Sequence, residues 1–172
     1  MNSLNRENSI YKRVFDFVWL HSLYCKLPRG GQKVLTAIKY TILAVVLFPR
    51  FLRYYLVIRR SGLFWDEYYR SAYPEIGKAN PLAHFIRYGA AKRYNPNPLF
   101  VTWWYLEENR DVESNGCNPL YHYIQHGWRE GRSPSAEFDG DRYLAANLDV
   151  AKDGINPLRH FLKYGCVEDR GY

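Results

Sequence analysis

Apolar residues recur at helical spacing in three places along the chain: Leu82, Phe85 and Ile86; Leu120, Tyr123 and Ile124; Leu158, Phe161 and Leu162. Residues three and four apart share one face of an α-helix, so each set predicts a short amphipathic helix. All three helices open on one motif: Asn80-Pro81-Leu82-Ala83-His84, Asn118-Pro119-Leu120-Tyr121-His122 and Asn156-Pro157-Leu158-Arg159-His160, each copy 38 residues after the last. Asn offers a capping acceptor, and Pro tolerates the first helical position because its missing N–H has no partner there anyway. Upstream of each motif, Phe64, Phe100 or Phe138 opens another helix, with Tyr69, Tyr105 or Tyr143 five residues on. That helix is predicted to end near Pro74-Glu75-Ile76, Arg110-Asp111-Val112 or Leu148-Asp149-Val150. Gly77, Gly116 and Gly154 mark the loop between the helices, and Gly89, Gly127 and Gly165 are predicted to close the second one in a left-handed conformation. A fixed period of this length is the mark of stacked units, none of which can bury its apolar face alone. The predicted units are 63–98, 99–136 and 137–172, and the first is two residues shorter between Phe64 and Asn80.

The N-terminal pattern is different. Residues 9–25 predict a helix, with Ser9 as cap and Tyr11, Val14, Phe15 and Val18 on one side, and Leu27-Pro28-Arg29-Gly30-Gly31 predicts a turn. From Val34 to Ile58 the chain is overwhelmingly apolar, interrupted by Lys39, Pro49, Arg50 and Arg53. At 100° per residue Lys39, Arg50, Arg53 and Arg60 fall within about 80° of one another, leaving a wide apolar face; these four and Arg59 are the expected membrane-binding residues. That is the pattern of a helix lying in a membrane interface. Two other readings stand beside it, a span or re-entrant hairpin and a core helix packed on the repeats. The longest uncharged run, Tyr40 to Pro49, has ten residues, against the roughly 20 that a span needs. A signal peptide is not expected, because Glu7, Asp16 and a predicted helix precede the apolar run.

Charge divides the chain at the same place. Residues 1–62 hold eleven Lys or Arg against two acidic residues, whereas residues 63–172 hold thirteen against fifteen. The basic excess is therefore N-terminal and points to an anionic surface. Its basic residues are interleaved with aliphatic side chains, so anionic lipid is the expected partner and nucleic acid is not. Cys25, Cys117 and Cys166 are odd in number and at no metal-ligand spacing, which fits a reducing compartment without a disulfide framework.

Residues 63–172 resemble a repeat found in bacterial surface-polysaccharide biosynthesis proteins and glycosyltransferase-associated chains. The resemblance is carried by Phe138-Asp139, Tyr143-Leu144, Asn147-Leu148-Asp149-Val150, Gly154, Asn156-Pro157-Leu158-Arg159-His160 and Gly165. The middle unit adds Trp104-Tyr105-Leu106, His122-Tyr123 and Gly127-Trp128-Arg129-Glu130-Gly131-Arg132-Ser133-Pro134. Leu148 and Arg110 depart from the Pro usual in that pattern, and Tyr73-Pro74-Glu75-Ile76 replaces its Asn-Pro-Asp-Val. The resemblance implies a polysaccharide-related setting and supplies no catalytic site, because in such proteins the repeat is separate from the transferase fold.

The recurrent His84, His122 and His160 invite a metal or catalytic reading. Equivalent residues of stacked helix pairs lie roughly 10 Å apart, too far for one ion to collect them. Pairing with Glu75, Asp111 and Asp149 at the end of the first helix is the expected role, so these His join Asn80, Asn118 and Asn156 as a structural signature. No Gly-rich phosphate loop, carboxylate pair or Asp-x-Asp appears, and neither catalytic residues, cofactor nor metal is expected. Aromatic residues make up 17% of the chain; most fall at repeat positions as core, while an exposed minority suits sugar rings. The middle unit's Trp128, Arg129 and Arg132 are the expected partner- or glycan-binding residues. The fold expected is all-α, with N-terminal amphipathic helices followed by three stacked helix-pair repeats of about 38 residues. The function expected is a non-catalytic accessory or scaffold of cell-envelope polysaccharide biosynthesis, peripheral on the cytoplasmic face of the inner membrane and binding a glycosyltransferase or glycan. A small membrane-associated glycosyltransferase-like enzyme is the alternative.

Overall fold

The computed structural model describes residues 48–165 together with Val167, Glu168 and Arg170. The expected helix over 9–25, the turn at 27–31, Lys39, Cys25 and Cys166 lie outside the described residues. Every regular element among the described residues is helical, as the all-α reading requires; the Asn97–Phe100 bridge belongs to no strand. Helix α1 (Phe48–Ser61) leads into three successive units. The first contains α2 (Asp66–Ala72), a 3₁₀ turn at Pro74–Ile76 and α3 (Pro81–His84), which runs on as a π-turn over Phe85–Gly89. The second contains α4 (Thr102–Glu108), α5 (Arg110–Ser114), α6 (Pro119–Gln125) and a 3₁₀ turn at Gly127–Glu130. The third repeats the plan as α7 (Gly140–Ala146), α8 (Leu148–Lys152), α9 (Pro157–His160) and a π-turn over Phe161–Gly165.

The first helix of each expected pair is therefore broken in two, as α2 and the 3₁₀ turn, α4 and α5, and α7 and α8. The extra break falls at Asn109 and Asn147, where φ is −124° and −127°. Their side-chain amides donate to the carbonyls of Tyr105 and Tyr143 at 2.8 and 2.9 Å. The same carbonyls also accept from the Asn109 and Asn147 backbone N–H at 3.1 and 3.0 Å, so backbone and side chain together close the last turn there. The motif helices start as expected: Asn80, Asn118 and Asn156 accept from the N–H of Ala83, Tyr121 and Arg159 at 2.9, 3.1 and 3.0 Å.

Three aromatic rings fill the middle of every unit. Phe64, Tyr69 and Phe85 have centroids 5.2 to 5.9 Å apart. The equivalent sets Phe100, Tyr105, Tyr123 and Phe138, Tyr143, Phe161 repeat the spacing at 5.2 to 5.9 Å and 5.5 to 5.7 Å. All are buried, and full burial of each ring contributes about 1.5–3 kcal/mol. The end of a unit returns to its start, since Pro96 accepts from Trp65 N–H and Pro134 from Val101 N–H, both at 3.1 Å. Neighbouring units are joined where Asn95 accepts from Thr102 N–H at 2.9 Å, and Arg93 pairs with Glu113 at 2.9 Å.

Helix α1 does not divide from the repeats where composition does. The compact body holding them begins at Phe51, inside α1. Ile58 is fully buried, with Tyr54, Tyr55 and Val57 packed against the same core. Part of the broad apolar face expected to meet lipid is thus taken, over these turns, by the repeats.

Candidate functional site

The recurrent His residues sit in equivalent pockets of the three units. Nδ1 of His84, His122 and His160 is hydrogen-bonded to the hydroxyl of Tyr69, Tyr105 and Tyr143 at 3.0, 2.9 and 2.8 Å. The expected partners were Glu75, Asp111 and Asp149; the tyrosine hydroxyl takes that place because α2, α4 and α7 point it inward over the motif helix. Burial raises the Tyr105 phenol well above its ordinary value and pushes His122 down, so this pair stays neutral. Close packing accounts for the glycine five residues after each His. A Cβ on Gly89, Gly127 or Gly165 would lie 2.1, 2.2 or 2.9 Å from the same tyrosine oxygen. None of the three adopts the left-handed conformation expected of them; among the described glycines that belongs to Gly62, Gly77, Gly116, Gly131 and Gly154. These glycines make room for a hydroxyl.

The carboxylates serve a second recurring contact. Arg132 donates to both oxygens of Asp111 at 2.8 and 3.0 Å, to the buried Asn109 side-chain oxygen at 2.8 Å, and to Glu130 at 2.7 Å. Arg170 reaches Asp149 and Asn147 in the same way, with Glu168 beside it. The fork expected to meet a partner at Arg132 therefore holds its own unit together, and unit three has it too. The hydrogen bonds from Arg132 and Arg170 are the first cause holding Asp111 and Asp149 below the usual carboxylate value. In unit one the positions of Asn109, Asp111 and Arg132 are occupied by Tyr73, Glu75 and Tyr94. Tyr94 lies flat on Tyr73, with centroids 3.9 Å apart, and donates to Glu75.

Trp128 and Arg129 lie elsewhere, on an open cleft between units two and three. The cleft measures ≈ 260 Å³ and is lined by Trp128, Arg129, Ile124, Leu63, Ile155 and Arg159, with Ser61, Gly154 and Asn156 at its edge. The Trp128 indole N–H donates to Ile124 O at 3.2 Å, which fixes the ring. The Arg129 guanidinium lies 4.3 Å from that ring's centroid and donates to Gln125 O at 3.3 Å. Two guanidiniums and an indole over an aliphatic floor suit a small ligand with an apolar face and a charged or polar edge. Sequence reading found Trp128 and Arg129 here and missed Arg159, Ile155 and Leu63. The signal for Arg159 was present in the motif, whose fourth position holds Ala83, Tyr121 and Arg159 in turn.

Four of the arginines expected to bind lipid lie on α1. Arg50, Arg53, Arg59 and Arg60 are exposed, and α1 carries no acidic residue in its first turn. Arg59 pairs with Asp66, and Arg53 lies over the Tyr121 ring at 5.6 Å. Leu52 and Leu56, one turn apart and 40% and 41% exposed, run between these arginines. No helix among the described residues is long and apolar enough to cross a membrane. No family model, curated protein or solved structure matches the chain.

Proposed function

We propose that this chain is a non-catalytic accessory of bacterial cell-envelope polysaccharide assembly, whether of capsule, O-antigen or exopolysaccharide. In this reading it is peripheral on the cytoplasmic face of the inner membrane, and its repeats hold a glycosyltransferase or a glycan there. The observation that carries the binding part is the cleft of Trp128, Arg129 and Arg159. An indole offers a rigid flat face to a sugar ring, and Arg offers a planar fork of donors to its oxygens. The recurring His and acidic side chains support a scaffold role, since each is committed to a contact that holds its own unit. The polysaccharide setting follows from the repeat resemblance alone, which is an association of fold and setting. Attachment to the membrane is supported by the arginines around Leu52 and Leu56, an arrangement that suits anionic headgroups with two aliphatic side chains between them.

Deleting the gene in its host should reduce surface polysaccharide, while the purified chain with nucleotide sugars and a divalent metal should transfer no sugar. Transfer by the purified chain would establish the alternative, a small membrane-associated glycosyltransferase-like enzyme. An unchanged polysaccharide coat would remove the assembly role.

A further inference from the structure

The cleft has a counterpart one repeat earlier. Subtracting the 38-residue period from Trp128, Arg129, Ile155 and Arg159 gives Ala90, Ala91, Cys117 and Tyr121, at the junction of units one and two. At that junction the chain supplies its own occupant. The ring of Tyr54, from α1, lies with its centroid 4.4 Å from that of Tyr121, and its hydroxyl reaches the Cys117 sulfur at 3.9 Å. Helix α1 ends at Ser61, which with Leu63 forms one edge of the second junction. A six-membered ring of the chain thus packs at the first junction, while the second carries an open cleft.

We propose that the cleft between units two and three binds one sugar ring bearing a negative charge. This rests on reading the cleft as a glycan site and adds the class of glycan. Size is the first argument. A site of ≈ 260 Å³ falls just below the roughly 300–1,000 Å³ of pockets that enclose drug-sized ligands, and its counterpart accommodates a single ring. The exchanged side chains supply the second. Where the first junction has Ala90, Ala91 and Tyr121, the second has Trp128, Arg129 and Arg159, which gains two positive charges and a larger aromatic face. None of the lining residues is acidic. Arg129 is steadied by Trp128 and by Gln125 O, and most of its donors remain for a ligand. Among the described residues the Arg159 side chain makes no ion pair; its backbone N–H alone is held, by Asn156. A phosphate or a ring carboxylate accepts two parallel N–H bonds from such a fork, and the aliphatic floor of Leu63, Ile124 and Ile155 suits the C–H face of a pyranose.

Titration calorimetry on the full chain tests this with four probes: glucose 1-phosphate, glucuronate, glucose and inorganic phosphate. At least one charged sugar should bind at least about tenfold more tightly than glucose and than phosphate alone, the scale of one charge-assisted hydrogen bond. Preference for glucose 1-phosphate identifies the anion as a sugar phosphate, and preference for glucuronate identifies it as a uronic acid. Arg159→Gln should weaken that binding by about tenfold or more, with the melting temperature unchanged because its side chain holds nothing in the fold. Trp128→Phe, which keeps packing, should weaken it less. The proposal is overturned if neither charged sugar binds, if glucose or phosphate alone binds as well, or if Arg159→Gln changes nothing. Displacement of the sugar by an acidic peptide of higher affinity would also overturn it and make the cleft a protein-docking site. Loss of surface polysaccharide on gene deletion, with no charged sugar bound, would sink this inference and leave the assembly role standing.

Discussion

Gly127→Ala should destabilise the middle unit through one atom, the Tyr105 hydroxyl. An added methyl would stand 2.2 Å from that oxygen and 3.4 Å from the ring carbon carrying it, with His122 Nδ1 at 3.5 Å. The first distance is impossible and the other two are tolerable, so the hydroxyl must move. Tyr105 is fully buried and wedged against Phe100 and Tyr123. Its displacement therefore adds overpacking strain of about 1–3 kcal/mol to the loss of the 2.9 Å bond to His122, worth about 0.5–1.5 kcal/mol. The expected total is about 2–4 kcal/mol, a large part of the stability of a domain this size. Tyr105→Phe should cost less, about 1–2 kcal/mol, because it removes one hydrogen bond without strain. Combining the two is the sharper test. With the hydroxyl gone, the methyl meets no impossible contact, so the double variant should be about as stable as Tyr105→Phe alone, giving a coupling as large as the Gly127→Ala loss itself, about 2–4 kcal/mol, in urea denaturation followed by circular dichroism. Additive losses would refute the reasoning and mean that Gly127 is required for its backbone.

Three further outcomes follow from the same contacts. Arg132→Ala should cost about 1–3 kcal/mol in the same assay, chiefly because the buried Asn109 oxygen loses its donor; unchanged sugar binding in that variant would separate this clamp from the cleft. Stability should fall in two steps as pH drops: His122, depressed below its ordinary 6.5 by burial, binds its proton first in the unfolded chain, so its contribution is complete above 6.5 and is lost below it. Asp111, held below its ordinary 3.8 by Arg132, adds a loss below that value, and a flat melting temperature between pH 7 and 5 that His122→Gln leaves unaltered would contradict the first step. Leu52→Asp with Leu56→Asp should abolish sedimentation with anionic vesicles while changing stability by less than about 1 kcal/mol, since both side chains are turned to solvent; undiminished sedimentation would place the lipid contact elsewhere.

The parts of this fold legible in the sequence are those governed by local rules. Asn before Pro fixes where α3, α6 and α9 begin whatever surrounds them, and the 3.6-residue spacing fixes which face of each is buried. What local rules do not reach is the choice among partners that only packing brings together. His122 has Asp111 and Tyr105 both within one unit; the helix break at Asn109 turns Asp111 outward to Arg132 and leaves Tyr105 over the His. The same limit explains α1. Its wheel separates arginines from apolar residues without saying whether lipid or protein covers the apolar side, and Tyr54 on Tyr121 shows the repeats taking part of it. Of the cleft, Trp128 and Arg129 were found because the middle unit is the only one with a complete segment there. Arg159 was hidden in plain view as the variable letter of a motif read for its fixed ones.

That variable letter separates architecture from binding in this array. At the clamp, unit one replaces Asn109, Asp111 and Arg132 by Tyr73, Glu75 and Tyr94, yet the backbone turn is the same: Tyr94, Arg132 and Arg170 each donate to the glycine five residues before, at 2.9, 2.9 and 3.0 Å. Arg93 even adopts φ +61°, matching Gly131 at +69°, a conformation unusual for a residue with a side chain. Two different chemistries thus hold one geometry, so the clamp's task is the turn. At the groove the reverse holds. The Asn118 and Asn156 caps hold the same helix start at both junctions, while the side chain at the fourth motif position changes from Tyr121 to Arg159. One frame then presents two chemistries, one met by Tyr54 from within the chain and one open to solvent. A position whose frame is kept while its chemistry changes is where an array of near-identical units becomes specific for a ligand, and in this chain that position lies between units two and three.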